Sequence, residues 1–112
     1  IFAVEVIPNR NTRERLLEIV EAARAAQIPV FTGTEHNTKT PGPLVDKFSR
    51  EEPFRTAFFD GALVALGHAA EVAADREGYV RANGSPRFSN RTEGLAYFRA
   101  KGQEAFDRFR KR

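Results

Sequence analysis

Two short apolar runs separated by a helix-length amphipathic segment constrain this chain more than anything else in it. Ile1 to Ile7 (Ile-Phe-Ala-Val-Glu-Val-Ile) is apolar at six of seven positions and rich in β-branched residues, the pattern of a strand covered on both faces in a parallel sheet. Pro8 ends it. Asn9-Arg10-Asn11 reads as a turn, and Asn11 with Glu14 has the spacing of a capping box, with Asn in place of the usual Ser or Thr. A helix is predicted to about Gln27, with Leu16, Ile19, Val20, Ala23 and Ala26 on one apolar stripe. Ile28 to Gly33 is a second short strand, with Pro29 tolerable only at its start. Strand, helix and strand in that order form a βαβ unit, whose crossover is right-handed and whose strands are parallel in nearly every case. Both strand carboxyl ends then share one sheet edge, the edge at which α/β folds bind their ligands.

The remainder is predicted to be helical. Thr34 to Pro43 is a polar loop too rich in Pro and Gly for a helix, and Leu44 to Arg50 has room for one or two helical turns. From about Pro53 a long helix is expected to end near Gly78, with Phe59, Ala62 or Leu63, Leu66, Ala69 or Ala70 and Ala73 on its inner face; His68 and Glu71 sit one turn from that stripe. Asn83-Gly84-Ser85-Pro86 is turn chemistry. A last helix opens at Asn90 and Glu93 and carries Leu95, Phe98, Gly102, Ala105 or Phe106 and Phe109 on one side. Two segments follow: residues 1–53, a βαβ unit with its edge loop, and residues 54–112, a helical segment with a basic tail.

Length and composition bound the fold class. The chain has 112 residues, whereas a complete eight-stranded α/β barrel needs roughly 250. The expected class is therefore α/β, a βαβ unit from a distorted and incomplete barrel followed by C-terminal helices. A chain that opens on Ile1 inside a buried strand also reads as a fragment. There is no cysteine, which excludes disulfides, thiolate metal sites and thiol nucleophiles. No apolar run reaches the roughly 20 residues of a membrane span and no signal-peptide pattern opens the chain, so a cytoplasmic protein without a membrane partner is expected. Charge is segregated. Residues 1–75 carry 8 Lys and Arg against 11 Asp and Glu, whereas residues 76–112 carry 10 against 4.

Candidate chemistry gathers at the shared strand edge. Glu5 is a carboxylate inside an apolar strand; buried and unpaired it would cost several kcal/mol. It is therefore either an ion pair or wet edge position, or an acid on the floor of a site. Arg10 leaves the same strand end and suits a two-pronged contact with carboxylate or phosphate, or is an ordinary surface arginine. Glu35, His36 and Asn37 follow the second strand, and in extended geometry Glu35 and Asn37 point one way and His36 the other. One carboxylate and one amide do not hold a divalent ion, which needs four to six or more ligands. His68 is expected to pack rather than to ligate. If a metal site exists, this chain holds part of it.

From about Phe2 to Asn37 the chain resembles the late part of a PHP domain, the polymerase-and-histidinol-phosphatase superfamily of metal-dependent phosphoesterases. The resemblance is carried by Val4-Glu5-Val6, Asn9 and Arg10, then Ile28-Pro29-Val30 and Gly33-Thr34-Glu35-His36-Asn37. The family motif reads Gly-Ser-Asp-x-His, with its Asp and His binding metal; Glu35 falls on the Asp, Asn37 on the His and His36 on the variable position. The family's early His-x-His pair is missing. The resemblance implies a C-terminal segment of a distorted seven-stranded barrel with divalent ions (Zn, Mn or Mg), in which metal-activated water cleaves a small phosphorylated substrate. Glu5 would serve in catalysis, Glu35, Asn37 and His36 at the metals, and Arg10 and Lys39 at the phosphate; the remainder of the same polypeptide, or a second copy, would complete the site.

Two other readings stay open. The βαβ unit could be a catalytically silent scaffold whose loop binds a small polar ligand. Alternatively, Arg76, Arg81, Arg87, Arg91, Arg99 and Lys101 with Tyr79, Phe88 and Tyr97 could bind single-stranded nucleic acid or a protein, basic residues interleaved with stacking aromatics being the composition such sites use. That reading is the less favoured, because Phe98, Phe106 and Phe109 share one helical face and suit a core.

Overall fold

The computed structural model describes residues 3–33 and 48–111. In chain order they form strand β1 (Val4–Val6), a 3-10 turn (Pro8–Arg10), helix α1 (Arg13–Ala26), strand β2 (Val30–Thr32), helix α2 (Phe54–Ala73) and helix α3 (Arg91–Arg110). Strands β1 and β2 are parallel neighbours in the register Val4 to Val30, Glu5 to Phe31 and Val6 to Thr32. The ladder is closed at its two ends by the Val4 amide donating to the Pro29 carbonyl and the Gly33 amide to the Val6 carbonyl, both at 2.9 Å. The expected βαβ unit is present, with strands shorter than predicted.

Among the described residues, helices pack on one face of the sheet. Val6 and Val30 are buried and Val4 packs against them, facing Leu16 and Val20 of α1 and Phe54 and Phe58 of α2. On the opposite face Glu5 is exposed and Phe31 half-buried. A buried parallel strand reads as a continuous apolar run, and here Glu5 marks the face on which no described helix packs.

Local chemistry explains the ends of α1. The cap is Thr12, whose hydroxyl accepts from the Arg15 amide at 3.2 Å, rather than the expected Asn11. The Asn11 amide group donates instead to the Ile7 carbonyl at 2.9 Å, which ties it to the preceding turn and leaves the next hydroxyl to satisfy the first helical N–H groups. At the other end Gln27 is left-handed, with φ of 56°. Its amide donates to the Arg24 carbonyl and that of Ile28 to the Ala23 carbonyl, a left-handed C-terminal closure that satisfies the last carbonyls.

Helix α2 is the centre of the molecule, with β2 and the βα core on one side and α3 on the other. Its buried residues are Phe54, Phe58, Gly61, Leu63, Val64, Gly67 and Glu71, whereas Phe59 and Leu66, expected to face inward, are 45% and 39% exposed. The face was misassigned because its contact positions are glycines. A Cβ on Gly61 would overlap the Val30 carbonyl, one on Gly67 the Phe98 carbonyl, and one on Gly102 the Leu63 carbonyl. Backbone therefore meets backbone along this seam, and hydrophobicity scales see nothing there. The helix also ends at Ala73 rather than near Gly78.

Helix α3 begins where expected, the Asn90 side chain accepting from the amides of Thr92 at 2.7 Å and Glu93 at 3.3 Å. Gly94, Phe98 and Gly102 form its buried face, while Phe109, placed on that face from the sequence, is 72% exposed. Between the two long helices Val80 and Pro86 form an antiparallel bridge across a turn in which Gly84 has φ of 89°. No described helix is long and apolar enough to cross a membrane.

Candidate functional site

The parallel crossover delivers Glu5 and Gly33 to the same edge. Glu5 stands opposite Phe31 in the register, and its carboxylate lies over the α-carbon of Gly33, so that a side chain at position 33 would overlap Glu5 Oε1. Glycine at 33 thus leaves room for an acid beside the entrance to the following loop. Glu5 is exposed, which resolves the sequence anomaly without a buried charge: the carboxylate stays in water. Arg10 is also exposed, at the end of the 3-10 turn that leaves β1. Glu35, His36, Asn37 and Lys39, together with Leu44 to Lys47, lie outside the described residues.

Among the described residues no three His, Asp or Glu side chains come together as a metal-binding group. One carboxylate at this edge does not fit a divalent ion by itself, since such an ion takes four to six or more donors. The expected donors Glu35, His36 and Asn37 all lie outside the described residues.

A second polar centre, absent from the expected site, lies at the far end of α2. Glu71 is fully buried and its carboxylate accepts hydrogen bonds from the Arg76 guanidinium, from Arg87 at 3.1 Å and from the Tyr97 hydroxyl. Arg87 in turn donates to the Tyr97 oxygen at 3.1 Å and lies 4.7 Å from the centre of that ring. Burial pushes the Glu71 carboxyl up, but the hydrogen bonds from Tyr97, Arg76 and Arg87 outweigh it and bring the pKa down to about 2. The cover is thin: the Arg76 side chain is 55% exposed. The acid is roofed by its partners rather than sunk in hydrocarbon. Glu71 is consequently ionised and fully committed, which makes it a tie between α2, the turn segment and α3 rather than a reagent.

His68, the other histidine outside the loop, packs as expected. Its Nδ1 accepts from the Tyr79 amide at 3.0 Å and its ring lies 6.1 Å from that of Phe98. The basic residues of the nucleic-acid reading are also engaged. Arg76 and Arg87 hold Glu71, Arg81 pairs with Glu77, Arg99 with Asp60 and Lys101 with Glu104, and Arg91 reaches the Gln27 carbonyl at 3.4 Å. Of the three aromatics, Tyr79 is buried, and Phe88 and Tyr97 pack against its cluster, so they are partners of the core before they are stacking platforms. Comparison of the chain with protein-family models, with curated proteins and with solved structures gave no match.

Proposed function

We propose that this chain supplies the working edge of a PHP-like metal-dependent phosphoesterase, with Glu5 and the loop residues Glu35, His36 and Asn37 as its acidic and metal-binding side and Arg10 and Lys39 as phosphate contacts. The observation that carries the reading is the placement of Glu5. The parallel register sets its carboxylate over Gly33, the first residue of the Gly-Thr-Glu-His-Asn motif, so an acid from one strand end stands beside the end of the other. Ligand sites of α/β folds occupy this edge for the same topological reason. In this reading Glu35, His36 and Asn37 supply ligands from this chain, and further polypeptide or a second copy supplies the rest.

The test is the affinity of the chain for Mn2+, followed by water-proton relaxation. Wild-type protein is expected to bind the ion, and Glu35→Ala and Glu5→Gln each to weaken binding about tenfold, the loss of one charged donor. Identical affinity in the wild type and Glu35→Ala would refute the assignment.

A further inference from the structure

A cavity of about 330 Å³ lies at the opposite end of β2 from Glu5, between the end of α1, the middle of α2 and the first turns of α3. Its walls are apolar, among them Val20, Ala23, Ile28, Val64 and Leu95. The volume falls in the range of small-molecule sites, which are mostly apolar with a few polar groups that orient the ligand. The rim is pinned from both sides. Gln27 donates to the Thr92 hydroxyl at 2.6 Å, joining α1 to α3, and Arg99 holds Asp60 at 2.9 Å, joining α3 to α2.

The polar side chains of the lining are almost all spent. Gln27 is bound to Thr92, Thr56 donates to Glu52, and Asp60 and Arg99 neutralise each other. Arg24 remains: this exposed residue lines the cavity and makes no ion pair or hydrogen bond among the described residues. A preformed apolar space with one uncommitted cation selects a ligand with an apolar body and one negative charge. The planar fork of Arg matches a carboxylate.

We propose that this cavity binds a small monocarboxylate with an aryl or branched-alkyl body, held by Arg24, at a site separate from the Glu5 edge. The probe is hydrocinnamate, titrated into the full chain with chelator present and followed by the amide resonances of Ala23, Ile28, Gly61 and Ala96. Saturable shifts at these amides are expected, with affinity about tenfold lower in Arg24→Ala and for the neutral hydrocinnamamide. Ala96→Leu, an exposed α3 position that fills the cavity without touching the cation, is expected to abolish the shifts. Absence of saturable shifts in the wild type, or equal affinity for the acid and its amide, would overturn the proposal. Because no metal is present, failure here leaves the Mn2+ result at the Glu5 edge unaffected, and the reverse holds as well.

Discussion

The two halves of α2 are packed on different principles, the first turns through large side chains and the later ones through glycines. Towards the sheet, α1 and the start of α2 meet through side-chain volume: Leu16, Val20, Phe54 and Phe58 fill the space over Val6 and Val30, and Phe54 stacks near Phe58 at 5.9 Å and near Phe48 at 6.0 Å. From Gly61 onward the contact is made by what is missing, since Gly61 sits against the Val30 carbonyl of β2 and Gly67 and Gly102 bring α2 and α3 each against a carbonyl of the other. A core of large side chains relaxes around a small change, whereas a backbone seam has nothing to yield except the distance between the helices. The two halves should therefore answer mutation differently.

The seam should give the largest effect. Gly102→Val places branched carbon against the Leu63 carbonyl and should cost about 4 kcal/mol or prevent folding. At an uncontacted helix site the replacement of Gly by Ala stabilises by roughly 0.5–1 kcal/mol; Gly102→Ala is expected to destabilise instead, so the sign alone, read from a urea melt, breaks or upholds the backbone contact. On the other side Leu16→Ala should cost about 3 kcal/mol, the ordinary range for emptying a fully buried leucine site, and should leave a folded chain. If Leu16→Ala proved the more damaging of the two, the distinction between seam and core would be lost.

Glu71 belongs to the seam's far end and should come next. Glu71→Gln keeps shape but removes the charge that Arg76 and Arg87 share; with so thin a cover the cost should be about 2 kcal/mol, below that of a deeply buried pair. Its pH dependence has a definite sign. The folded pKa of about 2 lies below the ordinary 4.5, so the stabilisation is complete above about 4.5 and is lost as pH falls towards 2. The stability gap between wild type and Glu71→Gln, measured by urea melts across that window, should narrow on acidification. A gap that stays constant would show that Glu71 acts only by shape. The smallest effect is expected at Gly33→Ala, under about 1 kcal/mol, because the overlapping atoms are the mobile end of Glu5; what moves is the carboxylate, and with it Mn2+ affinity.

The same contrast explains what could be read in the residues. The βαβ unit announced itself because apolar runs, a helix-length stripe and Pro8 are local signals, and Asn90 announced α3 for the same reason. The inner face of α2 did not, because Gly61 and Gly67 contribute contact without hydrophobicity, while Phe59 and Leu66, expected there, lie exposed. Glu71 was visible as an acid in an apolar helix, but its partners Arg76, Arg87 and Tyr97 lie 5, 16 and 26 residues away, beyond what helical spacing reports. Glu5 was legible from both sides: its charge predicted either a wet edge or a site, and its exposure over Gly33 is the geometry that both of those readings share.

The most direct test of the proposed working edge is the location of bound Mn2+ by paramagnetic broadening of amide signals. The account predicts that the amides of Glu5, Val6, Thr32 and Gly33 broaden first at low metal, and that the effect vanishes in Glu35→Ala while the fold is retained. Broadening that begins elsewhere, for instance around the exposed Glu18 and Glu21 of α1, or that survives unchanged in Glu35→Ala, would contradict it.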